Sequence, residues 1–131
     1  MISLRIRAAL SALALAFLTV PTPAQAQPAD LGALLHLAVR NDTTGATERV
    51  DLLCAPDGGT HPDPAAACAA IAAADGDLDQ LRGDPGVLCN NLYQPVTAFA
   101  HGFWFGTTVA WSRHFANPCG LRTRTDPVFR F

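Results

Sequence analysis

Cys54-Ala-Pro-Asp-Gly-Gly-Thr-His-Pro-Asp-Pro-Ala-Ala-Ala-Cys68 sets two cysteines around a short run rich in proline and glycine. A helix start lies inside it. Asp63 can cap, and Pro64 fits the first helical position, where the N–H that proline lacks would have no partner anyway. An alanine-rich helix is expected over about Pro64 to Ala74, with Cys68, Ile71, Ala72 and Asp75 on one face and Gly76 as its stop. Cys68 falls in the first turns, so a bridge to Cys54 would staple a turn to a helix.

Upstream, Arg5 and Arg7 precede an apolar run from Ala8 to Val20, and Ala24-Gln25-Ala26 forms an A-x-A site. That is the pattern of a cleaved secretory leader. The run ends at Pro21 and Pro23, short of the roughly 20 apolar residues that a spanning helix needs. The expectation is a signal peptide over residues 1–26 and a secreted, extracellular domain over 27–131, beginning at Gln27. Without the leader, seven arginines and no lysine face eleven acidic residues, a net charge of −4. Such a domain is a poor partner for nucleic acid or an anionic membrane. Its core alone can supply only limited stability.

Cys54, Cys68, Cys89 and Cys119 all lie beyond the leader, and an even count in a short exported chain reads as two disulfides. Three connectivities are open, and local order favours 54–68 with 89–119. Zinc fits poorly, because neither C-x-x-C nor H-x3-H spacing occurs.

Asp30 to Arg40, with Leu31, Leu34, Leu35, Leu37 and Val39, reads as a first strand, and Arg49 to Leu53 as a second. Asp77 to Leu81 can add a helical turn, and Arg82 to Gly86 is a loop. Val96 to Phe105 and Thr107 to Phe115 form a hairpin around Gly106, with a bulge expected at Gly102. Phe99, Phe103, Trp104, Phe105, Trp111 and Phe115 crowd this hairpin, and most are expected to pack the sheet against the helix. Pro127 to Phe131 reads as a short closing edge strand.

A catalytic inventory comes up short. Beyond the leader there is one serine, Ser112, without a G-x-S-x-G elbow, and one glutamate, Glu48. The histidines are scattered at positions 36, 61, 101 and 114, and His61 is read as stabilising a turn. The aspartates mostly sit beside Gly or Pro, where they cap and turn the chain. The chain is read as no enzyme, with no cofactor and no metal.

What remains is Val87-Leu88-Cys89-Asn90-Asn91-Leu92-Tyr93-Gln94-Pro95. A bridge at Cys89 would fix one end of this loop and Pro95, entering the sheet, the other. A segment held extended loses little entropy on binding, which is how a short peptide surface reaches high affinity.

From about residue 33 to Phe131 the chain resembles the subtilisin inhibitor-like family, secreted protease inhibitors. The landmarks recur in order: the Cys54–Cys68 signature, with Ile71 for the usual closing leucine; Gly76-Asp-Leu78; Cys89 to Pro95; the aromatic hairpin; Phe115-Ala-Asn-x-Cys119; and Val128 to Phe131. The resemblance implies an α+β fold, a five-stranded antiparallel sheet covered by two short helices with two disulfides, usually as a homodimer. It implies the local disulfide pairing. It also places the reactive bond at Asn91–Leu92, with Asn91 as P1 and Leu92 as P1′, and Cys89, Asn90, Tyr93 and Gln94 flanking them against the protease.

Two residues depart from the family habit, which offers Met or Lys at P1 and often Pro at P2. A trypsin-like pocket needs a cation for its buried carboxylate, so Asn91 argues against trypsin. A broader subtilisin-like pocket tolerates it. The leading expectation is an inhibitor of extracellular subtilisin-like serine proteases. Its rival is a secreted binding module with a drifted loop, acting on another extracellular enzyme such as a transglutaminase or a metalloprotease. A small hydrolase is a weaker third, opposed by the missing nucleophile.

Overall fold

Leucines at alternate positions of the first strand, Leu35 and Leu37, are buried, while His36 between them is exposed. That period of two puts one face of β1 (Ala33–Asn41) on the core. The computed structural model describes residues 20–23 and 32–131. Most of the leader, its cleavage site, Gln27, Asp30 and Leu31 lie outside the described residues. β1 pairs antiparallel on one side with β2 (Thr47–Cys54) and on the other with β4 (Val96–Trp104). β3 (Gly58–Gly59) and β5 (Thr107–Phe115) complete a five-stranded sheet of order β3-β2-β1-β4-β5.

Helices α1 (Pro64–Ala73) and α2 (Pro118–Thr125) cover one face of this sheet. Asp63 caps α1 as expected, its Oδ1 accepting from the Ala66 N–H at 3.2 Å. The helix buries Ala67, Cys68 and Ile71, followed by Ala74, against Leu35, Leu37 and Leu52. Ala72 and Asp75, read as part of that face, are exposed instead. A run of alanines gives the period little to grip, and the bridge and Ile71 set the rotation. Each buried leucine or isoleucine contributes about 1.5–3 kcal/mol by leaving water. A 3-10 turn over Leu78–Gln80 then buries Leu78.

Both disulfides join neighbours in order, Cys54 to Cys68 and Cys89 to Cys119.

The closing edge strand does not form. Val128 and Phe129 are buried at 0% and 3% exposure, but in a turn after α2, with Phe129 stacked on Trp111 at 5.5 Å. The Val128 carbonyl pairs with His61 Nε2 at 3.0 Å rather than with a strand. His61 Nδ1 accepts from the Asp63 N–H at 3.0 Å, so this buried ring is the turn support expected of it. The fifth strand is instead Gly58–Gly59, read as loop, against Leu52 and Leu53. Gly59 has φ +92°, and a Cβ there would strike the Asp51 carbonyl.

Gly102 carries no bulge, since the register runs unbroken through Leu35, Gly102 and Val109. Its φ is +141°, and a Cβ would collide with the Leu34 carbonyl. Trp104, Trp111 and Phe115 pack on the helix side as expected. Phe99 and Phe103 do not: they project from the opposite, helix-free face, where Phe103 is 44% exposed and Leu53 is 38% exposed. Strand alternation overrides the aromatic content of the hairpin.

Candidate functional site

The chain from Val87 to Pro95 crosses the end of the sheet without regular structure, between α2 and the start of β4. Four attachments hold it. Cys89 is bonded to Cys119 in the first turn of α2. The Asn117 side chain donates from Nδ2 to the Leu92 carbonyl at 3.0 Å and to the Asn90 carbonyl at 3.4 Å. The Gln94 N–H donates to the Ala116 carbonyl, and the Asp42 N–H to the Pro95 carbonyl, both at 2.9 Å. Upstream, Gly83 packs so closely on the Thr123 and Arg124 backbone that no Cβ would fit.

Asn117 serves two structures at once. Its Oδ1 accepts from the Gly120 N–H at 2.7 Å and caps α2, while Nδ2 reaches back to the loop. The residue is buried, at 8% exposure, so an unpaired amide there would be costly. Asn90 adds a contact within the loop, its Oδ1 accepting from the Leu92 N–H at 3.3 Å. Both sides of the Asn91–Leu92 peptide are thereby tethered.

The side chains point outward. Cys89, Asn90, Asn91 and Gln94 are exposed, Leu92 is 59% exposed and Tyr93 73%. The six residues expected from the sequence form one continuous exposed segment. Leu88, 97% exposed and three residues before Asn91, belongs to the same surface and was not singled out by the sequence reading. Neither was Asn117, although Asn117-Pro118 repeats the cap-then-proline signal read at Asp63-Pro64.

Asp42 anchors the far end. Its Oδ2 accepts from Thr97 Oγ1 at 2.8 Å and faces His114 Nδ1 at 3.2 Å, and its Oδ1 accepts from Arg40 Nε at 3.0 Å. The Thr97 hydrogen bond, with Arg40 and His114 adding to it against the cost of burial, holds this carboxyl below its usual range. Asp126, beside α2, is shifted the other way by burial, with Arg130 and Arg122 opposing and Asp84 adding to the rise.

Other chemistry is thin. Ser112 lies on the open face of β5 with His114, but among the described residues no hydrogen bond joins them. Cys54, Asp57 and Cys68 cluster closely, yet both sulfurs are spent on each other and offer no thiolate.

A small disulfide-stapled α+β domain that holds an exposed, extended loop at one end of its sheet offers that loop as a surface on which a partner can dock. The chain belongs to the subtilisin inhibitor-like family, whose model matches residues 31–117. It is 48% identical over 83 residues to subtilisin inhibitor-like protein 5 of Streptomyces fradiae, covering 63% of this chain and 78% of that one. It is 42% identical over 117 residues to trypsin inhibitor STI2 of Streptomyces longisporus, covering 84% and 81%. Among solved structures it is similar to Streptomyces caespitosus sermetstatin, determined in complex with Bacillus licheniformis subtilisin. That match has a TM-score of 0.64 and 34% identity, over 76% of this chain and 98% of the other.

Proposed function

We propose that this chain inhibits extracellular subtilisin-like serine proteases by presenting Asn91–Leu92 as a reactive bond. The observation that carries the reading is the Asn117 amide, which ties the carbonyls on both sides of that bond to one buried side chain. The loop backbone would pair with the protease cleft as an added strand, with Asn91 entering the primary pocket. The protease serine attacks the Asn91 carbonyl carbon, and the bond to the Leu92 nitrogen breaks. The acyl side stays held through the Cys89 bridge and Asn90, and the new amine through Leu92 and Gln94. Resealing then outruns hydrolysis, because the amine cannot diffuse away and keeps a high effective concentration.

Support for the class comes from the two relatives named as inhibitors and the neighbour bound to subtilisin. Asn91 sets the preference. Titrating wild type, Asn91→Lys and Asn91→Met against subtilisin and trypsin is the test. Stoichiometric inhibition of subtilisin by wild type is expected. Asn91→Lys should gain trypsin inhibition, because its cation pairs the pocket carboxylate. Asn91→Met should bind subtilisin about ten- to a hundredfold tighter, or 1–3 kcal/mol, through added apolar burial. Three proteins behaving alike would remove Asn91 from P1. Absence of any inhibition would favour a module with a drifted loop acting on another extracellular enzyme.

The same reading has residues 1–26 removed on export, leaving 27–131 as the extracellular domain. It also has two copies meeting through the open sheet face, where Phe103 and Leu53 would otherwise stay in water. Sedimentation at micromolar concentration should give twice the chain mass, and a monomer would refute the pairing.

A further inference from the structure

Asn90 stands on the acyl side of the Asn91–Leu92 bond, and its side chain reaches across that bond. Its Oδ1 accepts from the Leu92 N–H at 3.3 Å, two residues ahead. The nitrogen it holds is the one that leaves when Asn91–Leu92 is cut. The other attachments run to the scaffold instead. Asn117 Nδ2 bonds the Asn90 and Leu92 carbonyls at 3.4 and 3.0 Å, Cys119 bonds Cys89, and the Ala116 carbonyl takes the Gln94 N–H at 2.9 Å. Among the described residues, Asn90 alone ties one side of the bond directly to the other. Asn117 steadies it for this by fixing its backbone carbonyl. Asn90 and Leu92 are both exposed, so in the free chain water competes for the contact and its net worth is small. In a protease cleft that water is excluded, and the same hydrogen bond strengthens. A proline at position 90 would offer no side-chain acceptor.

We propose that Asn90 is a positioning residue for resealing, its Oδ1 keeping the Leu92 amine beside the acyl-enzyme. The inference rests on Asn91–Leu92 being the reactive bond. In the forward step the protease serine oxygen bonds to the Asn91 carbonyl carbon and the bond to the Leu92 nitrogen breaks. The protease's general acid delivers a proton to that nitrogen, so the new amine carries two hydrogens. One of them still donates to Asn90 Oδ1. The nitrogen is thus restrained from turning away, and its lone pair stays near the carbon it has just left. Resealing re-forms the bond between carbon and nitrogen, frees the serine and returns the proton to the protease. Water must compete with an amine already held within reach, so hydrolysis is slow.

The test incubates wild type, Asn90→Ala and Asn90→Asp with excess subtilisin, so that all of the inhibitor is bound whatever its affinity. Mass spectrometry after an acid quench then counts and locates the cut. Asn90→Ala should be cleaved at Asn91–Leu92 about fivefold faster than wild type, the factor that one hydrogen bond carries. Asn90→Asp keeps an oxygen acceptor and should stay within about twofold of wild type. Cleavage of Asn90→Ala no faster than wild type overturns the role. Equal acceleration in both variants also overturns it, since the shape of the side chain and not its acceptor would then matter. Either result, with wild type still inhibiting, removes Asn90 alone. Cleavage of wild type at another bond, or no inhibition by it, removes the reactive-bond assignment and this inference together.

Discussion

Cys54 and Cys68, 3% and 6% exposed, link β2 to α1 inside the core, whereas Cys89 and Cys119 link a surface loop to α2. Their sequence separations are 14 and 30 residues. On chain entropy alone the two bridges stabilise comparably, by about 3 and about 3.7 kcal/mol. What they constrain in the folded protein differs. The first closes a turn whose position the surrounding leucines already define. The second holds a segment that buries almost nothing and would otherwise sample many conformations. A bridge of ordinary strength becomes decisive for binding where no packing supports the chain.

The sharpest way to break this contrast is to remove each bridge in turn. Cys89→Ser with Cys119→Ser is expected to weaken subtilisin inhibition by about a hundredfold or more, since the freed loop must be ordered on binding. Cys54→Ser with Cys68→Ser should cost about 2–5 kcal/mol in denaturant unfolding and leave inhibition by the folded protein nearly unchanged. Equal losses of inhibition in both variants would erase the distinction.

Asn117 sharpens it further, because one amide serves the helix and the loop through different atoms. Asn117→Asp keeps the oxygen that caps α2 and removes the donor to the Asn90 and Leu92 carbonyls. About a tenfold loss of inhibition is expected, in keeping with about 1 kcal/mol for a hydrogen bond. Thermal stability should fall less than in Asn117→Ala, which loses the cap as well. A loss of stability without a loss of inhibition would confine Asn117 to the helix.

The smallest effect concerns Asp42 at the loop exit. Its carboxyl is held below the usual value of 3.8, first by the Thr97 hydrogen bond. The folded state therefore binds this proton less readily than the unfolded chain. The resulting stability is complete above 3.8 and disappears as the pH falls through the lowered folded value. Asn in its place should lower the thermal midpoint at pH 7, and the gap from wild type should close as the solution is acidified below 3.8. A gap independent of pH would point to lost hydrogen-bond geometry instead of charge.

Asp63-Pro64, the leucine alternation of β1, the hairpin around Gly106 and the run from Cys89 to Pro95 were legible because each signal is local. A cap, a proline, a period of two and a loop between cysteines involve neighbours in the chain. The failures share the opposite trait. Val128 to Phe131 alternates like a strand, but His61 and Trp111 claim it for the core. Gly58-Gly59 looks like a turn, yet Leu52 and Leu53 offer it free ladder positions. The aromatic hairpin gives no hint of which rings face the helices until the register of β4 against β1 is known.

By itself the sequence determined the family, the two-bridge framework, the start of α1 and the exposed segment around Asn91. The tertiary structure alone decided that Asn117 spans both carbonyls of that segment, that the second helix falls at Pro118–Thr125 beside it, and that His36 meets His101. The reason is physical. A short-range signal acts through backbone geometry and is present in any chain carrying those residues. A side chain that bonds across the fold acquires its partner only when sheet register and helix docking bring distant segments within about 3 Å.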